Sequence, residues 1–416
     1  MTGSPQRDES LDSAGALAVL RGRTSAKWRQ HPADVLPSFI AEMDLPVADE
    51  VLAALRAHLD RGGDLGYAFS FTDDSPAQRA VADWLGARFD WAVAPSRVLY
   101  FADVTRVTEA VIDTCSAPGD AVLTDIPAYP GFAESVRDRG RELVANPMVP
   151  RGGRWRIDLD GVERGFRDGA RIYLLCSPHN PTGRVHTPAE LTRIAELARR
   201  YRVTVFSDEV HSPLVYPGST HVPFAALPAA AGVRTVTGIS ASKAWNLAGL
   251  KCAFGVPGDA ATAEALLAAP SRLRDGVGIL GATASTAAFA EGGRWLAETM
   301  TRLDANRRLL GRLVARDLPE IGYQLPQATF LGWLDCRRVA DRLGEADLVG
   351  RALRAGRLAV TDGADFGSPG FLRVVFATSR VLVAEQVRRL AHGLADGAPA
   401  APADTAADVA TLPAAA

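Results

Sequence analysis

The sequence predicts an α/β fold with a mostly parallel sheet, and three observations carry that reading. Short β-branched runs alternate with amphipathic helical stretches. Several of those runs are apolar throughout rather than at every second residue. Polar, chemistry-bearing residues cluster where the runs end. A strand apolar on both faces belongs to a sheet covered on both sides, as in sheets with helical crossovers.

The elements follow in chain order. "DAVLTD" (120–125), "RELVAN" (141–146) and "RIYLLCS" (171–177) read as strands. "TPAELTRIAELARRY" (187–201) reads as a helix, with Thr187 as N-cap, Pro188 at its first position and Glu190 closing a capping box. "RVTVFSDEV" (202–210) and "RTVTGIS" (234–240) are strands again. After Arg272 helices dominate, and a late strand, "GFLRVVFAT" (370–378), carries Arg373. This organisation predicts a large domain at about 45–285. A smaller α+β domain combines both chain ends, 11–44 with 286–395. The first ten residues and the Ala/Pro-rich tail 396–416 lack large apolar residues at a helical period and are expected to be disordered.

Composition sets the outer limits. The 416 residues are 47% hydrophobic and 23% charged with a net charge of −2, which gives no electrostatic reason to expect nucleic acid or an anionic membrane as partner. The start lacks the apolar core of a signal peptide, and no apolar run is long enough to span a bilayer. Cys115, Cys176, Cys252 and Cys336 are far apart and read as thiols in a reducing cytoplasm rather than as a disulfide or zinc framework. No zinc helix of the His-Glu-x-x-His type occurs, so no metal is expected.

In an open α/β sheet, ligands bind at the carboxyl ends of the strands. Those ends here carry "SPHNPTG" (177–183), "SDEVH" (207–211) and "SASK" (240–243). A pyridine ring bearing an aldehyde and a phosphate needs the groups found there. Lys243 can hold the aldehyde, provided its surroundings favour the neutral amine. A carboxylate such as Asp208, beside the ring nitrogen, keeps that nitrogen protonated and the ring electron-withdrawing. Asn180 can donate to the ring hydroxyl, Lys251 can hold phosphate, and Arg373 can grip a substrate carboxylate with two parallel hydrogen bonds. Singly, each has a plainer reading: a turn or helix cap for Asp208, a turn for Asn180-Pro181-Thr182-Gly183, a surface charge for Arg373 and Lys243. Their joint order on strand ends favours the chemistry.

These residues resemble the fold-type I pyridoxal-phosphate enzymes, the class I/II aminotransferase superfamily. More narrowly, "TSAKW" (24–28), "AEMDLPVADEV" (41–51), "GYAFSF" (66–71), "SPHNPTGRV" (177–185), "SDEVHSPLVY" (207–216) and "SASKAWNLAGLKCAF" (240–254) are similar to the MalY/PatB-type cystathionine β-lyases. The likeness runs from about residue 24 to 390. It implies the aspartate aminotransferase-like fold, pyridoxal 5'-phosphate as cofactor and Lys243 as the Schiff-base lysine. It further implies Asp208 at the ring nitrogen, Asn180 at the ring hydroxyl, Tyr129 stacked on the ring and Arg373 on the substrate α-carboxylate. Ser240, Ser242 and Lys251 become phosphate ligands. Tyr67 would reach the phosphate of a neighbouring subunit, which implies a homodimer with shared active sites. His211 stands where aminotransferases usually have tyrosine, and is either cofactor-adjacent or structural.

One stretch departs from the pattern. Where the family usually has a Gly-Val-Val-Pro-like turn before a phosphate-binding helix, this chain has "DVTRV" (103–107). The expectation is that Asp103 turns away to cap the helix, leaving Val104 and Thr105 to donate to phosphate. Arg106 is a candidate for reaching substrate, and Trp245 either shapes the pocket or fills core.

The resemblance implies a carbon–sulfur β-lyase acting on cystathionine or another cysteine S-conjugate. The alternative on the same scaffold is an aminotransferase, or a specialised enzyme of secondary metabolism acting on an S-conjugated cysteine, as in lincosamide assembly. Two other readings carry less. Ser240-Ala241-Ser242-Lys243 fits the Ser-x-x-Lys of serine acyl-enzymes, but the Ser-Asp-Asn and Lys-Thr-Gly elements are missing. "GVGILG" (276–281) fits a dinucleotide-binding spacing, but no apolar strand precedes it, so it reads as a connection into the small domain. A regulator that keeps the cofactor scaffold for protein contacts is the remaining non-enzymatic reading.

Overall fold

The computed structural model describes residues 16–62, 64–68 and 74–397. The predicted disorder of residues 1–10 and of most of the 396–416 tail lies outside them, as do Phe69 to Phe71 of "GYAFSF". The chain divides into two units: Pro46–Met300 with Gln327–Thr329, and the remainder.

The larger unit is built on seven strands. In chain order they are β1 (Leu99–Phe101), β2 (Ala121–Ile126), β3 (Glu142–Pro147), β4 (Ile172–Cys176), β5 (Thr204–Asp208), β6 (Thr235–Ile239) and β7 (Ala253–Pro257). Their order in the sheet is β1-β7-β6-β5-β4-β2-β3, with β7 antiparallel to both of its neighbours and the other pairs parallel. Alternate residues of β4 feed two separate cores. Tyr173 and Leu175 pack with helices Leu159–Arg167 and Pro188–Tyr201, while Ile172, Leu174 and Cys176 pack with helix Val104–Cys115. That two-sided burial is why these strands read as apolar throughout.

Helix Pro188–Tyr201 starts as the sequence predicts. The Glu190 backbone N–H donates to Thr187 Oγ1 at 3.3 Å, and the Thr187 N–H donates back to the Glu190 carboxylate at 2.9 Å. The direction of the crossovers reverses between β2 and β4: β2 leads outward to β3, whereas β4 leads the other way to β5. Loops diverging from adjacent strand ends open a crevice there.

The larger unit extends to Met300 rather than to about 285. Helix Ile279–Glu291 packs against helices Asp49–Asp60 and Pro76–Phe89 of the same unit, so "GVGILG" leads into that helix rather than out of the unit. Helix Gly293–Asp317 then carries the chain onward.

The smaller unit has a four-stranded antiparallel sheet in the order Gly322–Tyr323, Leu331–Asp335, Phe371–Val375, Thr361–Asp362. The family-like segments "TSAKW" and "AEMD" clasp each other within it. Lys27 Nζ meets Asp44 Oδ1 at 3.0 Å with both side chains buried, and the Trp28 indole donates to the same oxygen at 2.8 Å.

Candidate active site

The strand ends of the larger unit bring Tyr129, Asn180, Asp208 and Lys243 to one edge of its sheet, after β2, β4, β5 and β6 respectively. Asp208 is the last residue of β5, and its carboxylate is buried. Burial pushes its pKa up to about 6; the Val210 N–H, donating to Oδ1 at 3.1 Å, and the positive charge of Lys243 pull the other way. Lys243 therefore acts on Asp208 through a low-dielectric site.

Lys243 owes its position to a local cap. Beyond β6, Ser240 Oγ accepts the Ser242 N–H at 3.0 Å and donates to the Cys252 carbonyl at 2.7 Å. That ties the short helix Ala241–Ala244, which carries half-buried Lys243, to the start of β7. Trp245, next in the chain, is fully buried, donates to the Gly292 carbonyl at 3.0 Å and packs edge-on against Trp84 and Phe289. It fills core.

Asn180 lies on a tight turn after β4. The His179 N–H donates to the Arg184 carbonyl, and the Gly183 N–H to the His179 carbonyl, both at 2.8 Å. Gly183 has φ +66, a left-handed conformation that suits glycine. Behind the turn, the Asn180 N–H donates to Cys176 Sγ at 3.3 Å, and burial together with the Asp208 charge raises that thiol's pKa well above its usual range. Tyr129 ends the β2 loop and is half-buried. Its ring lies across Gly131, where an added Cβ would stand 2.5 Å from Tyr129 Cε1.

The helix expected to receive the phosphate is Val104–Cys115. Asp103 is its N-cap, accepting the Arg106 N–H at 3.0 Å, so the carboxylate caps as expected. Its other oxygen meets Lys251 Nζ at 3.1 Å, a pairing across 148 residues that no sequence pattern announces. The N–H groups of Val104 and Thr105 precede the intrahelical ladder. Lys251 has φ +51 and is exposed. Arg106, the candidate substrate contact, is bound to Glu109 at 2.5 Å one turn along its helix.

Two buried groups escaped the sequence reading. Glu209 accepts from Ser207 Oγ at 2.8 Å and from the Phe224 N–H at 2.9 Å, and pairs with His221 Nε2 at 2.9 Å, both partners of that pair being buried. It anchors the turn that presents Asp208. Asp125 at the end of β2 is buried against Tyr173 and Asn146, and burial pushes its pKa up to about 6. An acid next to "SD" was visible in the sequence; its partner twelve residues on was not. His211 is also buried, on the turn after β5, with its carbonyl accepting the Leu214 N–H at 2.9 Å.

Two further candidates are described by their own surroundings. Arg373 belongs to the smaller unit, where its buried guanidinium donates to the Phe39 carbonyl at 2.8 Å and to Thr361 Oγ1 at 3.2 Å and covers the Phe366 ring. Tyr67 is 99% exposed in the larger unit.

Residues 42–392 match the family described as aminotransferase class I and II. The chain belongs to that family. Among its relatives in the family, a Mycobacterium tuberculosis protein with the provisional name cystathionine β-lyase is 40% identical over 397 residues, 89% of this chain and 95% of that one. The cystathionine β-lyase of Corynebacterium glutamicum is 33% identical over 385 residues, 91% of this chain and 99% of that one. The crystal structure of cystalysin from Treponema denticola, which contains pyridoxal 5'-phosphate, superposes with a TM-score of 0.82 at 25% identity, covering 90% of this chain and 96% of that one. The mostly parallel α/β sheet described above is that aminotransferase-like fold.

The donor set suits the family's cofactor. Lys27, Lys243 and Lys251 are the chain's only lysines. Arginine stays protonated and cannot condense with an aldehyde. Lys27 is locked in its buried ion pair and Lys251 lies against Asp103, whereas Lys243 shares a site with a buried acid. Among the described residues no group of His, Cys, Asp or Glu is placed to hold a metal ion.

Proposed function

We propose that the chain is a pyridoxal 5'-phosphate-dependent carbon–sulfur β-lyase that cleaves cystathionine or another cysteine S-conjugate. Substrate and water give a thiol, ammonia and pyruvate. The lyase half of the proposal is supported by the cystathionine β-lyase relatives at 33% and 40% identity; the cofactor half is supported by the buried Asp208 carboxylate and Lys243 at adjacent strand ends. When bound, the cofactor supplies an electron sink for negative charge at the substrate Cα.

The chain's own residues do the rest. Lys243 holds the cofactor aldehyde until substrate arrives, then takes the Cα proton on Nζ and delivers a proton to the departing sulfur. Asp208 keeps a proton on the ring nitrogen, and its burial strengthens that interaction. Asn180 would donate to the ring hydroxyl and Tyr129 would pack on the ring face. Ser240, Ser242, Lys251 and the N–H groups of Val104 and Thr105 hold the phosphate; the Ser240 proton has to leave the Cys252 carbonyl to do so. His211 sits beside the cofactor, and Arg373, by its matching position, takes the α-carboxylate.

The reading includes a homodimer in which Tyr67 completes the partner's site. In its support, Tyr67 and exposed Leu65 border a groove of about 490 Å³ continued by Leu250, Val277, Ile279 and Leu280. Apolar side chains around an open groove suit a protein contact. A cytoplasmic location also belongs to the reading. All four cysteines are free, and among the described residues no helix is long and apolar enough to cross a membrane.

The test is incubation of cofactor-loaded protein with cystathionine and other cysteine S-conjugates, scoring thiol and pyruvate. Both products should appear without any added keto acid, and Lys243→Ala should abolish them. Keto acid formed only with an acceptor keto acid, and no thiol from any conjugate, would establish the aminotransferase instead.

A further inference from the structure

In the site proposed above, the carboxylate of Asp103 holds donors that the cofactor phosphate would need. One oxygen takes the Arg106 N–H in the first turn of helix Val104–Cys115, and the other takes Lys251. A backbone N–H at a helix start and a lysine ammonium are the donors that an anionic phosphate seeks. Here both already serve an anion belonging to the chain itself. The pair is not a stability device: the Lys251 side chain is 55% exposed and that of Asp103 34%, and ion pairs so open to water contribute little to folding.

We infer that Asp103 is a resident counter-anion, which the phosphate must displace from Lys251 and which then stays near it as a like charge. This rests on the cofactor reading above and adds a property of this chain: weakened, exchangeable retention of the cofactor. A glycine at 103 would leave the cradle empty until phosphate arrived. An aspartate fills it beforehand and repels afterwards. Release of Lys251 also frees the carboxylate to keep capping through Arg106, so the helix start survives the exchange.

Asp103→Asn and Asp103→Ser remove the charge while keeping a good N-cap, so either separates electrostatics from folding. The experiment titrates cofactor-free wild type and both variants with pyridoxal 5'-phosphate and, separately, with pyridoxal. It follows the visible absorbance of the lysine-bound aldehyde rather than turnover. Wild type should bind the phosphorylated form. The variants should bind it on the order of tenfold more tightly, as expected when one like-charge contact is removed. Affinity for pyridoxal should be unchanged, and the gain should shrink as salt is added. Equal or weaker binding of the phosphorylated form by both variants overturns the inference and leaves the cofactor reading intact. No binding by wild type at any concentration overturns both.

Discussion

Gly238 of β6 is paired in register with Asp208 of β5, and its missing side chain lets helix Val104–Cys115 approach the sheet. A Cβ at 238 would stand 2.9 Å from Val104 Cγ1 and 3.0 Å from Phe206 Cζ. Gly238→Ala should therefore push Val104 outward, costing about 1–3 kcal/mol of stability by overpacking. In the proposed site Val104 starts the helix that holds the phosphate, so cofactor affinity should fall with it. Urea unfolding and a cofactor titration on the same sample check both parts; unchanged stability would show that the contact is slack.

The raised pKa of Asp208 gives a pH signature. Its folded value of about 6 exceeds its unfolded value of 3.8, so the folded state holds an extra proton between those limits. Stability is lost as pH rises through that window, and the loss is complete above it. Asp208→Asn should stabilise the cofactor-free protein by about 3 kcal/mol above pH 7 and by nothing below pH 4. In the loaded enzyme the same change should lower turnover on the order of a hundredfold, since it removes the charge proposed to face the ring nitrogen. Melting curves from pH 4 to 8, with and without cofactor, separate the two effects.

Much of this site was legible because its residues follow apolar strands at short range. Asn180, Asp208 and Lys243 each lie within about four residues of a strand end, and a parallel sheet aligns such ends by construction. The capping box at Thr187 and Glu190 is local too. Contacts between distant segments were not legible, because periodicity carries no information about them. Lys251 finds Asp103 across 148 residues. Helix Ile279–Glu291, rich in alanine on every face, gives no stripe to say which unit it joins. Hence the sequence alone points to an end near 285, where the larger unit runs to Met300.

The Lys27–Asp44 pair joins "TSAKW" to "AEMD" in the smaller unit. Asp44→Ala strands a buried ammonium and an indole N–H, and should cost about 3–5 kcal/mol. Replacing both partners, as Lys27→Met with Asp44→Leu, should recover most of that loss. A double-mutant cycle by denaturant titration decides; a single-variant loss under 1 kcal/mol would show that the pair is not electrostatically closed.

The groove beside Tyr67 sets an assembly prediction. Leu65 is 63% exposed, so Leu65→Asp should leave the fold unharmed. Sedimentation at micromolar concentration should show a dimer for wild type and a larger monomer fraction for the variant. On the proposed shared site, in which Tyr67 completes the partner's pocket, cofactor affinity should drop in parallel. A wild-type monomer that binds cofactor fully would refute shared sites.

The central claim is that one amine, that of Lys243, carries the cofactor opposite Asp208, and the scarcity of lysine makes it directly measurable. Protein loaded with pyridoxal 5'-phosphate is reduced with borohydride, digested and mapped by mass spectrometry. With only Lys27, Lys243 and Lys251 available, the phosphopyridoxyl mass should fall on the peptide containing Lys243, at one per chain. Label at Lys27 or Lys251 instead, or none anywhere, contradicts the account.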